Sequence, residues 1–132
     1  MANLEDDILK GAEWISQALQ SSGYKADFSL ESIGEIERFF VEQMKDGKPI
    51  ENGLLADDIG NKLFSLGSYI GEVLRRAYSG AWLVDNSDPE GELNVALRLS
   101  SGAELWPIQK VMKRFQNGEE DNLKAYTKSF AI

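Results

Sequence analysis

LLADDIGNKLFSLGSYIGEVLRRAY, residues 54–78, is the stretch whose reading decides the fold. At about 100° per residue it sorts into faces. Leu55, Ile59, Leu63, Leu66, Ile70, Val73 and Ala77 form one apolar stripe. Beside it run Gly60, Phe64, Gly67, Gly71, Leu74 and Tyr78. Together they cover about half of a helix. Asp58, Asn61, Lys62, Ser65, Ser68, Glu72, Arg75 and Arg76 fill the other half, with Tyr69 at the edge of this polar face. Three glycines cost a helix roughly 2–3 kcal/mol relative to alanine. Their restriction to one stripe predicts a close crossing there, by the first two helices or a sheet.

Outward from this helix the period stays helical toward the N-terminus. Asn3 is placed to cap a first helix that carries Glu5, Asp6 and Asp7 in its first turn. Leu4, Ile8, Ala12, Ile15 and Leu19 form its buried side, and Ser21-Ser-Gly23 ends it. A connector over 24–28 leads to a second helix starting at Ser29 or Ser32. Ser32 and Glu35 have capping-box spacing. Leu30, Ile33, Ile36, Phe40 and Met44 mark its inner side, and Asp46-Gly47 with Pro49 stops it, leaving 46–53 as a loop.

Toward the C-terminus, past Ser79-Gly80, the period changes. Residues 81–85 read as a strand, and Leu93, Val95, Leu97 and Leu99 alternate as a half-buried second strand. A third covers 103–106, after a turn at Ser100-Ser-Gly102. Pro107 then opens a helix with Ile108, Val111, Met112 and Phe115 inside, ended by Gly118. A last helix covers 121–130, anchored by Leu123, Tyr126 and Phe130. The expected fold is α+β: three helices, a three-stranded antiparallel meander and two helices. The long central helix packs on the sheet, and the first two helices pack mainly on the central one. A length of 132 residues predicts one domain, 1–132.

Composition narrows the chemistry. The chain has no cysteine and no histidine. Thiolate metal sites, cysteine nucleophiles and the commonest general base are absent. Any enzyme here runs on carboxylates, Lys, Arg, Tyr, Ser or Thr. No phosphate-loop or nucleophile-elbow string occurs. The loop with Asp85, Asp88, Glu90 and Glu92 has Pro89 and Glu90 where a calcium hand needs a ligand and a glycine. No metal or cofactor is predicted. The acidic N-terminus lacks a signal-peptide pattern, which predicts a cytoplasmic protein, and no apolar run is long enough to span a membrane.

Charge is uneven. Residues 1–60 hold 13 acids and five bases, whereas the remainder balances, so the net charge of −8 sits in the N-terminal part. Such a surface repels nucleic acid and anionic lipid and attracts a basic protein. Candidate binding residues are Tyr69, Glu72 and Arg76 on the polar side of the central helix, as a recognition patch with an aromatic anchor. Tyr69 is also a candidate for self-association. Trp82 and Trp106, on the outer strands, are candidates for lining a cleft. Lys113 and Arg114, with Lys110, form a basic cluster that could join Arg75, Arg76 and Arg98 around an anion or phosphate.

Leu66-Gly67-x-Tyr69-x-Gly71-Glu72, then Trp82-x-Val84-x-Asn86, then Pro107-x-x-x-Val111-x-Lys113-Arg114 and Gly118-Glu119 follow in order. This succession resembles small bacterial domains of unknown function over residues 60–125. The resemblance implies a bacterial source and no catalytic activity. The expected function is therefore a non-enzymatic protein-binding module. A toxin-immunity protein facing a basic toxin is its concrete version. The alternative is a small-molecule-binding domain or carboxylate-dependent enzyme, with its site between central helix and sheet, using Glu72, Arg76 or Trp82.

Overall fold

The structure, a computed structural model, describes residues 3–129. Helix α1 spans Leu4–Ser21. The Asn3 side chain caps it, accepting from the N–H groups of Glu5 at 3.0 Å and Asp6 at 3.4 Å. Helix α2 spans Ser32–Gln43. Its expected capping box does not form: Ser29 Oγ accepts the Ser32 N–H, and Glu35 instead accepts from the Lys25 N–H and pairs with Arg38. Ile33, Ile36, Phe39 and Phe40 point inward, together with Glu37, whereas Leu30 is exposed.

The stretch after α2 is not a plain loop. Strands β1 (Met44–Lys45) and β2 (Lys48–Pro49) pair as a small hairpin turning on Asp46 and Gly47. Both turn residues have positive φ, 54° and 79°. This is the geometry that Asp-Gly favours between antiparallel strands.

Helix α3 spans Ile59–Tyr78, starting later than the expected 54. Leu54–Asp58 form turns before it, although Leu55 is still buried. Strands β3 (Gly80–Leu83), β4 (Ala96–Leu99) and β5 (Glu104–Leu105) make the expected antiparallel meander. The strand expected to begin at 93 is shorter. Gly91–Asn94 form a one-turn helix, α4, and leave Leu93 exposed. Asp88 favours that turn: it accepts the Glu90 N–H at 2.9 Å and holds the Asn94 side chain at 2.9 Å.

Helix α5 is Pro107–Asn117, with proline at its first turn and Gly118 at φ 76° after its last. Glu119, Glu120 and Asp121 lie in a 3₁₀ turn, Gly118–Asp121, not at the start of a longer helix. Helix α6, Leu123–Lys128, is capped by Asn122. Phe130, expected to anchor it, lies outside the described residues. The fold is mixed α+β, with six helices and two small antiparallel sheets among the described residues.

Packing on α3 meets expectation for α1 and the sheet and departs from it for α2. Helices α1 and α5 flank it, and the sheet meets it near one end. Helix α2 leans chiefly on α6. The Glu37 carboxylate, inside that junction, accepts a fork from Arg114 of α5 at 2.7–3.0 Å and the Leu123 N–H at 3.0 Å. The glycines show why α3 needs small residues. A Cβ on Gly67 would lie 2.5 Å from Ile108 Cα and 2.7 Å from its Cγ1. One on Gly71 would overlap the Trp82 ring. The close partners are thus β3 of the sheet, one of the two expected alternatives, and α5, rather than the first two helices. Gly60 has no such partner, because a Cβ there meets nothing within 4 Å.

Candidate functional site

Tyr69 and Glu72 do not form a surface patch. Both are fully buried, because α3 is covered over more of its circumference than the apolar stripes alone would need. The Tyr69 hydroxyl donates to Ser32 Oγ at 2.7 Å and accepts the Phe28 N–H at 2.9 Å. Burial pushes this phenol above its ordinary value, against those two hydrogen bonds. Tyr69 is therefore no anchor for self-association.

Glu72 is a structural carboxylate. Arg75 donates to it through Nε at 2.6 Å and Nη2 at 2.8 Å, and the Trp82 indole N–H donates at 2.8 Å. Arg76 Nε lies 3.5 Å away. Burial pushes the carboxyl upward, but the bonds from Arg75 and Trp82 and the two guanidinium charges outweigh it and hold it below its ordinary value. A general acid in a pocket has the opposite signature. Both oxygens are committed, and none of the described cavities is lined by Glu72.

Arg76 is half exposed and stacks on the Phe28 ring, 4.0 Å from its centroid. Phe28 packs in turn on Tyr69, ring centroids 4.7 Å apart. Its backbone is left-handed, φ 64°. For a bulky side chain this costs about 1–3 kcal/mol and persists only where the surroundings enforce it. Here the Tyr69 hydroxyl on the Phe28 N–H does so.

The other sequence candidates separate. Trp82 is buried on Glu72 and Gly71, whereas Trp106 is 44% exposed at the start of α5 and belongs to no strand. They share no cleft. Lys113 is exposed, while its neighbour Arg114 is buried on Glu37. Lys110 is paired with Asp121 at 2.8 Å. The structure does bring together Arg75, Arg76 and Arg98. They line one open concavity of about 590 Å³ where the end of α3 meets β3 and β4.

A second feature escaped the sequence reading. Trp14 on α1 is 46% exposed and stands between two depressions. One, about 600 Å³, lies between α1 and the first turns of α3, with Asp7, Gly60, Phe64 and Glu92 on its walls. The other is small and apolar, about 100 Å³, with Ala18, Phe39 and Leu54 on its walls. The signal was present. Trp14 falls outside the stripe of Leu4, Ile8, Ile15 and Leu19, on a face it shares with Asp7, Lys10, Gly11 and Ala18.

Among the described residues, no group of acidic side chains could hold a metal ion, and no helix is long and apolar enough to cross a membrane. Comparison with known proteins gives no matching family, no matching curated protein and no matching solved structure.

Proposed function

We propose that the protein works by binding a basic partner protein through the α1 face, with Trp14 as the apolar anchor. The exposed indole between two depressions carries this reading. Tryptophan is enriched among the few residues that dominate interface energies, and such anchors fill pockets ringed by polar groups. The surroundings supply the polarity: Asp7 and Glu92, with Lys10, line the larger groove, and Asp6 and Glu13 are exposed on α1. With the net charge of −8 concentrated in residues 1–60, this side would speed encounter with a cationic surface, in a salt-dependent way. Immunity against a basic toxin is the most concrete version. The competing reading, a carboxylate-dependent site between helix and sheet, is disfavoured by the paired, closed-off state of Glu72.

The test compares baits in low-salt pull-downs from the source organism: wild type, Trp14→Ala, and Asp7→Lys with Glu92→Lys. A basic protein should be retained by wild type and released by raising salt. Its affinity should fall roughly thirtyfold for Trp14→Ala, as expected of an anchor worth about 2 kcal/mol. Folding stability should change by only about 0.5–1 kcal/mol, since the side chain is half exposed. Equal retention by all three baits would refute the proposal.

A further inference from the structure

We propose that the concavity at the C-terminal end of α3 is a second, independent binding site, for an oxyanion carried on a small molecule with an apolar part. Its principal donors are Arg76 and Arg98. Arg76 is held in place without spending its hydrogen bonds. Arg75 already forms the fork to Glu72. Arg76 contributes charge at 3.5 Å and makes no hydrogen bond among the described residues. Its guanidinium is fixed by the stack on Phe28, whose strained backbone is held by Tyr69. A planar cation oriented by stacking, with its donors unfilled, is suited to a phosphate or carboxylate group.

The opposite wall of the concavity carries Arg98. Arg98 on β4 lies across from Ala81 on β3 and Glu104 on β5. Only one of its amino groups is engaged, with Glu104 at 3.3 Å, and the pair is exposed on both sides. Ala81 is too short to cover Arg98 from the β3 side. Leu83 and Leu99 supply apolar wall between the arginines. The three guanidiniums are matched in charge by Glu72, Glu104 and Glu5, whose charge reaches Arg75, so the attraction of the site rests on the unfilled donors of Arg76 and Arg98.

A helix C-terminus ordinarily repels anions through its free carbonyls. Here the Arg75 carbonyl accepts the Ser79 N–H, and the Tyr78 carbonyl accepts the Ser100 hydroxyl at 2.9 Å. Ser79, exposed at φ 53°, keeps a hydroxyl with no partner among the described residues. It adds a donor to the same wall.

The experiment is an amide-resolved NMR titration of the full chain at about 0.15 M salt, with phenyl phosphate and benzoate as separate probes. Saturable shifts centred on residues 75–83 and 97–100 are expected with at least one probe. The tighter probe identifies the anion class. Arg98→Gln should weaken binding about tenfold, the loss of one charge-assisted contact. Among the described residues the Arg98 side chain pairs with Glu104 alone, and both are exposed, so this variant keeps its fold. Arg38→Gln, a surface control on α2, should titrate like wild type, and so should Trp14→Ala, which separates this site from the proposed docking face. Shifts that rise linearly with both probes, that spread over the lysines of α5 and α6, or that are the same in Arg98→Gln would overturn the proposal.

Discussion

Gly67 and Gly71 face Ile108 and Trp82 in contact, whereas Gly60, two turns earlier on the same stripe of α3, faces an open groove. One half of the helix is sealed by its neighbours, and the other is left accessible. The sealed half also carries Tyr69 and Glu72, polar groups fully enclosed and fully partnered. The open half borders Trp14, an apolar group left outside. A glycine or an aromatic therefore has no fixed meaning along one helix. Its meaning depends on whether the neighbouring element closes over it. Folding energy is concentrated in the sealed half, and the proposed docking surface borders the open one.

The largest effect should come from removing the charge that the sealed half encloses. Glu72→Gln keeps an acceptor for the Trp82 indole but leaves Arg75 and Arg76 without their counter-charge. A loss of about 3 kcal/mol is expected in chemical denaturation, at the low end for a broken buried pair because both arginines reach solvent. The pH dependence has a definite sign. The Glu72 carboxyl titrates below its ordinary value in the fold, so its contribution is complete above the usual carboxylate range. It is lost as pH falls through the lowered value. The stability gap between wild type and Glu72→Gln should therefore be widest near neutrality and close on acidification. A constant gap from pH 7 to pH 3 would mean that charge is not what Glu72 supplies.

Next comes the helix crossing. Gly67→Ala places a methyl against the Ile108 backbone, which cannot rotate away as a side chain could. Alanine's better helix propensity returns about 1 kcal/mol, against the cost of pushing α5 off α3. A net loss of about 2 kcal/mol is expected, in the range for overpacked cores. A melting temperature equal to wild type would show that the two helices are not in contact at Gly67.

Much of this division could be read in the sequence, but unevenly. The helical stripes of α1, α2, α3 and α5 were legible because each buries one face on a 3.6-residue period. The β4–β5 pairing follows from the short turn between Leu99 and Glu104, whereas β3 and β4 are joined across a longer connection that contains α4. The strand 93–99 was overread: Leu93 keeps the alternation of Val95, Leu97 and Leu99, while the Asp88 side chain winds the preceding residues into a turn. At Asp46-Gly47 the residues that stop α2 also turn a hairpin, and the helix pattern before them hides that second role. Tyr69 and Glu72 were misplaced for a deeper reason. A helical wheel equates polar with exposed, and their burial depends on Ser32, Phe28 and Trp82, residues distant on the chain. Trp14 is the converse, an exposed aromatic that position alone marked as off the core stripe.

The smallest change tests the comparison most directly. Gly60→Ala adds a methyl where nothing lies within 4 Å, at ordinary negative φ. If α3 concerns folding alone at this position, alanine is simply the better helix residue. Stability should then rise by about 0.5 kcal/mol, less than the mid-helix value because Gly60 lies in the first turn. Gly67→Ala and Gly60→Ala, the same substitution on the same stripe, should thus have opposite signs. A basic partner seated in the groove beside Trp14 adds a second expectation. The methyl would stand on the wall of that groove, so binding should weaken in the variant that folds better. Stabilisation with unchanged binding would move the docked partner off Gly60 and onto the smaller depression on the other side of Trp14. A loss of stability would show that the open half of the helix is not open.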